Sequence, residues 1–206
     1  RSTLSSSSAA SDVYKRQLGK CTMVGDQGGP FSYPGDYFSA EAPEKYKIKG
    51  SFGHPVPVVD GKTQSSGAKA SAIVLKKEFT DVKDLLCIDY TSAYSTPSLD
   101  KLVRTFVYDR QGKGSFTVGD EFTANAPIRF ETAITTQANW KIIDDTHLLL
   151  TTGTEQMTVT IEASGKVAFT SETIEVNSPA YTRIGISLKE QSKDGYIRLT
   201  MRTKQL

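Results

Sequence analysis

Between Ala68 and the C-terminus the chain is a succession of short runs rich in Val, Ile, Phe, Tyr and Thr, each closed by a turn signal. The ten runs are KASAIVLKKEF, DLLCIDY, RTFVYDR, GSFTVGDEF, IRFETAITT, HLLLTT, EQMTVTIEA, KVAFTSETIEV, RIGISLK and GYIRLTMRT. β-Branched and aromatic side chains suit a pleated, half-buried surface, and the alternation Met157-Thr158-Val159-Thr160-Ile161 sends every second side chain to one face. Gln111-Gly112-Lys113-Gly114, Ala163-Ser164-Gly165-Lys166 and Lys193-Asp194-Gly195 mark turns. Strands of this length with hairpin-like connections predict an all-β fold, an antiparallel β-sandwich over 68–206. The one helical competitor, Ser98-Leu99-Asp100-Lys101-Leu102-Val103, reads as at most a turn of helix.

Residues 18–67 differ. VGDQGGPFSYPGDYF and GSFGHPVPVVDGKTQSSG are dense in Gly, Pro and Tyr, which break long regular elements and leave loops. Segments of this kind carry functional residues more often than the elements they join.

The first 17 residues belong to neither pattern. Before Gln17 the apolar content is Leu4, Ala9, Ala10 and Val13, too little for the roughly 7–15-residue apolar core of a secretory signal. Back-translated, Ser7 to Gln17 resembles the adaptor of transposase-based sequencing libraries, and Arg1 to Leu4 resembles the primer that flanks it. The expectation is therefore a non-native, disordered tail over 1–17 and a domain that starts at Leu18, inside a longer reading frame. Setting aside Arg1, Asp12, Lys15 and Arg16 takes the formal charge from +2 to 0. That leaves no compositional case for nucleic acid or an anionic membrane surface as partner.

No apolar run approaches the roughly 18–20 residues of a membrane span. Cys21 and Cys87 are the only cysteines, too few for a disulfide framework or a zinc finger, and are expected as unpaired or buried thiols. The sequence has no G-x-S-x-G elbow, phosphate loop or H-E-x-x-H. Of the two histidines, His147 follows Asp144-Asp145-Thr146 at a turn and suits a solvated or capping role. His54, in Gly53-His54-Pro55-Val56-Pro57, precedes a rigid stretch that fixes the direction of its ring, as a metal ligand or catalytic imidazole requires. Asp26, near Gly25, Gly28 and Gly29, permits close backbone approach to an ion or ligand and is equally compatible with ordinary turn chemistry. Asp89, between Ile88 and Tyr90, reads as either a buried hydrogen-bonded acid or an outward-facing strand residue.

Several of these segments together resemble the C-terminal region of heparinase II/III-like polysaccharide lyases. Met23-Val24-Gly25-Asp26-Gln27-Gly28-Gly29 is similar to that family's strand ending in an Asp-x-Gly turn. Gly53-His54-Pro55-Val56-Pro57-Val58-Val59-Asp60-Gly61-Lys62-Thr63-Gln64 is similar to its His-Asn-x-Val-x-Val-Asp-Gly-x-x-Gln segment. Asp89 to Tyr94, Leu102 to Val107 and Val118 to Phe122 look like landmarks of its sandwich.

The resemblance implies an N-terminal helical toroid, absent here, packed on the sandwich with an acidic polysaccharide bound between them. It implies β-elimination at a uronic acid, largely by toroid residues, so that this portion alone is expected to be inactive. It also implies a zinc ion held by Asp26, His54 and a third ligand preceding Leu18. The family's Asn after the histidine is Pro55 here, which removes an amide and a backbone donor and alters the hydrogen bonding around the metal position. A further implication is a catalytic tyrosine between the two ligand positions, with Tyr33, Tyr37 and Tyr46 as candidates and Tyr37 preferred. The polymeric substrate implies a periplasmic or secreted location. The alternative is a non-catalytic carbohydrate-binding or structural sandwich of a secreted protein.

Overall fold

The alternating runs assemble into two antiparallel sheets packed face to face in a computed structural model that describes residues 16–18, 21–26, 29, 32–39, 41–175 and 180–204. Fourteen strands are present among them: β1 (Arg16–Leu18), β2 (Cys21–Val24), β3 (Val58–Val59), β4 (Ile73–Phe79), β5 (Lys83–Asp89), β6 (Leu99–Asp109), β7 (Ser115–Ile128), β8 (Phe130–Thr136), β9 (Asn139–Asp144), β10 (His147–Thr152), β11 (Glu155–Ala163), β12 (Val167–Ile174), β13 (Tyr181–Leu188) and β14 (Ser192–Lys204). The larger sheet has the order β4-β5-β6-β7-β14-β11-β10-β9, and the smaller β12-β13-β8-β3. Leu102, Val118, Phe122, Leu148, Leu150, Val159, Ile184, Ile186 and Leu199, all buried, fill the space between them. The architecture is the all-β antiparallel sandwich that the alternation predicts.

All ten apolar runs contain strands. Ser98–Val103 is the exception to the reading of local structure: from Leu99 it is the start of β6, not a helical turn. The register shifts between Leu99 and Lys101, so one extra residue brings Leu99 and Leu102 to the same buried side although they are three apart. A β-bulge thus imitates the i,i+3 spacing of a helix. β9 lies outside the ten runs because polar and charged residues interrupt Trp140, Ile142 and Ile143; like β4 it is an edge strand with mostly exposed side chains.

β7 passes through Arg129 directly into β8, which belongs to the other sheet. The register with β14 jumps between Ser192, opposite Ile128, and Asp194, opposite Thr123. An irregularity of this kind turns a long strand through a corner between sheets, and Pro127 sits where there is no ladder bond to lose.

The open edge of β8 positions the site. β3 pairs with its first residues, Phe130 and Glu131. At its other end Thr135 and Thr136 hold the end of β2 and the residue after it: Gly25 N–H donates to Thr135 O at 3.2 Å, and Thr136 Oγ1 donates to Met23 O at 2.6 Å. The loop from Ser51 to Pro57 crosses the edge between these two attachments. As their composition predicts, residues 41–67 hold only a helical turn (Ala42–Lys45), one short 3₁₀ turn (Ser51–Gly53) and β3. β1 pairs with β2 and begins at Arg16, two residues ahead of Leu18; the rest of the expected disordered tail, residues 1–15, lies outside the described residues.

Candidate functional site

Three carbonyls fix the loop that carries His54. Gly53 O accepts from Tyr181 Oη at 2.8 Å, Pro55 O from an Arg104 guanidinium nitrogen at 2.8 Å, and Pro57 O from Tyr94 Oη at 2.8 Å. The spacing of two is that of an extended chain, and the prolines at 55 and 57 supply carbonyls without adding N–H groups that would need partners. Gly53 is required by close approach: a Cβ there would lie 2.2 Å from Lys47 O and 2.9 Å from Ile48 Cα. Pro55 places its carbonyl where Arg104 can reach it.

Arg104 is itself held in the core. It donates to Asp120 through Nε (2.6 Å) and Nη2 (2.7 Å), while Tyr90 Oη (2.7 Å) and Thr132 Oγ1 (2.6 Å) donate to the same carboxylate. Burial drives the Tyr90 hydroxyl far above its ordinary pKa, with the Asp120 charge adding to the effect, so it stays a donor. A bidentate pair in which every charge is satisfied is the condition under which a buried ion pair is tolerated.

At the tip of the loop, His54 Nδ1 lies 2.7 Å from Asp26 Oδ1 across 28 residues of sequence, and Nε2 lies 3.0 Å from Ile48 O. A carbonyl and an ionised carboxylate only accept, so the two contacts favour the doubly protonated imidazolium ring. Burial pushes the imidazole pKa down, but the hydrogen bond and charge of Asp26, with the Ile48 carbonyl, outweigh it and the balance is upward. The donor set fits part of a zinc site. With its proton replaced, Nδ1 would face an ion shared with Asp26, and Nε2–H on a backbone carbonyl is the outer contact that orients a ligating histidine. Two ligands are fewer than the three or four zinc takes, and no group of three or more His, Cys, Asp or Glu suited to a metal occurs among the described residues.

Tyr37 is buried with Ile48, Ile174 and Tyr181 in a small cluster apart from the main core. Its ring lies 4.9 Å from Tyr33 and 5.6 Å from Tyr46, and Lys49 Nζ donates to its carbonyl. Burial raises the pKa of its hydroxyl, and Tyr33 adds to the rise. Tyr46 donates to Asp36 Oδ1 at 2.5 Å, and Tyr33 is exposed.

The other candidates resolve into local structure. His147 Nδ1 meets Asp144 Oδ1 at 3.0 Å in the turn between β9 and β10, the capping role its context suggests. Asp89, on β5, accepts from Thr91 N–H (3.0 Å) and Thr91 Oγ1 (2.7 Å), which turns the chain out of the strand. Cys87 is a free, half-buried thiol; the side chain of Cys21 lies outside the described residues.

Sequence reasoning left Arg104, Asp120, Tyr90, Tyr94 and Tyr181 without roles. A signal was present: Leu102-Arg104-Phe106 and Val118-Asp120-Phe122 each place a charge in phase with core residues of their strand. Opposite charges in phase on neighbouring strands mark a buried pair.

No protein-family model and no curated protein matches the sequence. The fold has counterparts among solved structures. A heparinase III, the BT4657 gene product with methylated lysines, superposes with a TM-score of 0.69 at 13% identity over 93% of this chain. Another heparinase III gives 0.68 at 15% over 91%. The heparan sulfate lyase HepC from Pedobacter heparinus gives 0.69 at 13% over 91%. The chain spans 28–29% of the length of these solved chains.

Proposed function

We propose that this chain is the C-terminal sandwich portion of a polysaccharide lyase that cleaves uronic-acid-containing glycans by β-elimination. The observation that carries the reading is the His54 and Asp26 contact at 2.7 Å, made at a sheet edge by a loop whose alternate carbonyls are anchored. The shared fold with heparinase III supports it.

In such a reaction the uronate carboxylate is neutralised, a base removes the C5 proton, and the resulting electron pair forms the C4–C5 double bond as the C4–O bond breaks. The leaving oxygen then takes a proton. The base belongs to an N-terminal toroid packed on this sandwich. Tyr37, its hydroxyl kept protonated by burial, suits the donor to the leaving oxygen. Asp26 and His54 would hold a zinc ion together with a ligand upstream of Leu18, and such a site would brace the loop. Arg104, Tyr94 and Tyr181 act one step removed, by fixing the backbone on which His54 stands. A polymeric acidic substrate places the protein in the periplasm or outside the cell.

The test compares this chain alone with the chain joined to its upstream portion, on heparan sulfate and on alginate, following the ultraviolet absorbance of the unsaturated product. Turnover is expected from the joined protein and little or none from the chain alone. Turnover by the chain alone would overturn the requirement for the toroid. An upstream portion that is another sandwich, with no turnover, would favour a non-catalytic binding module. In the joined protein Tyr37→Phe is expected to lower turnover without loss of folding, and unchanged turnover would return Tyr37 to a packing role.

A further inference from the structure

A groove of about 510 Å³ lies on the outer face of the smaller sheet, lined among others by Gly61, Arg129, Glu131, Ser187, Lys189 and Gln191. It sits at the start of β8, beside the His54 loop, whose Phe52 stacks on the Arg183 that holds Glu131. None of the groove residues takes part in the site already described.

One side of the groove carries a fixed carboxylate. Arg183 donates to Glu131 Oε1 at 2.7 Å, and the Arg183 side chain is only 2% exposed, with Phe52 stacked 4.3 Å from its guanidinium carbon. The Glu131 carboxyl rests over Gly185, where a Cβ would come within 2.7 Å of Glu131 Cδ and 2.4 Å of Thr170 Oγ1. Arg183 therefore neutralises Glu131 and leaves Oε2 to accept from a hydroxyl.

The other side carries two cations on anchored backbone. Asp60 and Gly61, both at positive φ, form a tight turn between Val59 and Lys62. That turn is tied to Arg129: Asp60 N–H donates to Arg129 O at 2.9 Å, and Arg129 N–H to Asp60 Oδ1 at 2.8 Å. Lys189 N–H donates to Lys166 O at 2.8 Å. Among the described residues the exposed side chains of Arg129 and Lys189 have no ion-pair partner. With Glu131 paired to Arg183, the groove presents the Arg129 and Lys189 side chains, with the Asp60 carboxylate on the Arg129 backbone, beside a carboxylate oxygen, the Ser187 hydroxyl and the Gln191 amide.

We infer that this groove is a second glycan subsite that takes an anionic pyranose unit, with Arg129 and Lys189 on its acidic group and Glu131 and Gln191 on its hydroxyls. The inference rests on the lyase reading for its class of polymer. A sulfate ester and a uronate carboxylate share the recognised chemistry.

Calorimetric titration of this chain with a heparan sulfate oligosaccharide and with an unsulfated alginate oligosaccharide separates the two sources. Arg129→Ala/Lys189→Ala is expected to weaken binding at least about tenfold, as the loss of charge-assisted hydrogen bonds implies. Weakening on both glycans assigns the carboxylate, and weakening on heparan sulfate alone assigns the sulfate. Lys141→Ala/Arg202→Ala removes the same charge from the larger sheet and is expected to change binding little. Equal binding by the groove variant and wild type, an equal loss in the control, or no binding of either glycan by wild type overturns the inference. The lyase reading is judged separately, by turnover of the joined protein.

Discussion

The two histidines each place Nδ1 on an aspartate and differ in almost everything that surrounds the contact. His147 and Asp144 are three residues apart in one hairpin, both well exposed, and Thr146 binds the same carboxylate through its hydroxyl and N–H at 2.7 Å each. His54 and Asp26 are 28 residues apart, about a quarter exposed or less, and meet only because separate elements are fixed against β8. A local pair can form from its own turn. A distant pair exists only if the backbone on both sides is held, and here Gly53 O, Pro55 O and Pro57 O are held by residues from β13, β6 and the connection between β5 and β6. The difference teaches that the chemistry of a site such as His54 is determined as much by Arg104 and Tyr181 as by its own ring.

The strongest way to break the comparison is through the core. Asp120→Ala strands the Arg104 charge and removes the acceptor of Tyr90 and Thr132, and is expected to cost about 3–5 kcal/mol. Urea unfolding checks the loss, and ¹⁵N shifts should move at His54 while those of His147 stay in place. A loss below about 1 kcal/mol would show that the network does not hold the loop.

A smaller effect is expected from Gly53→Ala, whose methyl would strike the Lys47 carbonyl. Overpacking of this kind costs about 1–3 kcal/mol. The displaced loop should pull the His54 ring off Ile48 O, seen as faster hydrogen exchange in the loop. Native exchange there would mean that the backbone contact relaxes without cost.

The smallest effect sharpens the other side of the contrast. Thr146 hydroxyl and N–H, followed by His147, hold Asp144 at about 2 against an ordinary 3.8. A lowered carboxyl pKa stabilises the fold above the ordinary value, and the contribution fades as pH falls through about 2. In Thr146→Ala the carboxyl should titrate closer to 3.8 by NMR, with little change in stability at neutral pH because the group is exposed. An unmoved midpoint would assign the shift to the backbone N–H at 146 and to His147.

The sheets were legible because alternation is a local signal that survives without context. Every apolar run contains a strand; β9 escaped because polar and charged residues interrupt its apolar ones, and the bulge at Leu99 disguised the start of β6. The site was legible in part. Pro55 suggests a directed His54, and what holds the loop is the Arg104 and Asp120 pair, visible in sequence only as two charges in phase with apolar neighbours. The proximity of Asp26 to His54 rests on tertiary attachments to Thr135 and Thr136, and no local pattern encodes those. Gly53 suggests a flexible joint and proves to be a point of close contact.

The most direct test of the account is turnover of uronic-acid glycan by the protein joined to its upstream portion, with His54→Ala and His147→Ala compared side by side and zinc content measured in each. His54→Ala is predicted to lose most product formation and bound zinc, while His147→Ala retains both. Equal turnover and equal zinc in the two variants would contradict the claim that the anchored His54 and Asp26 pair is the functional site.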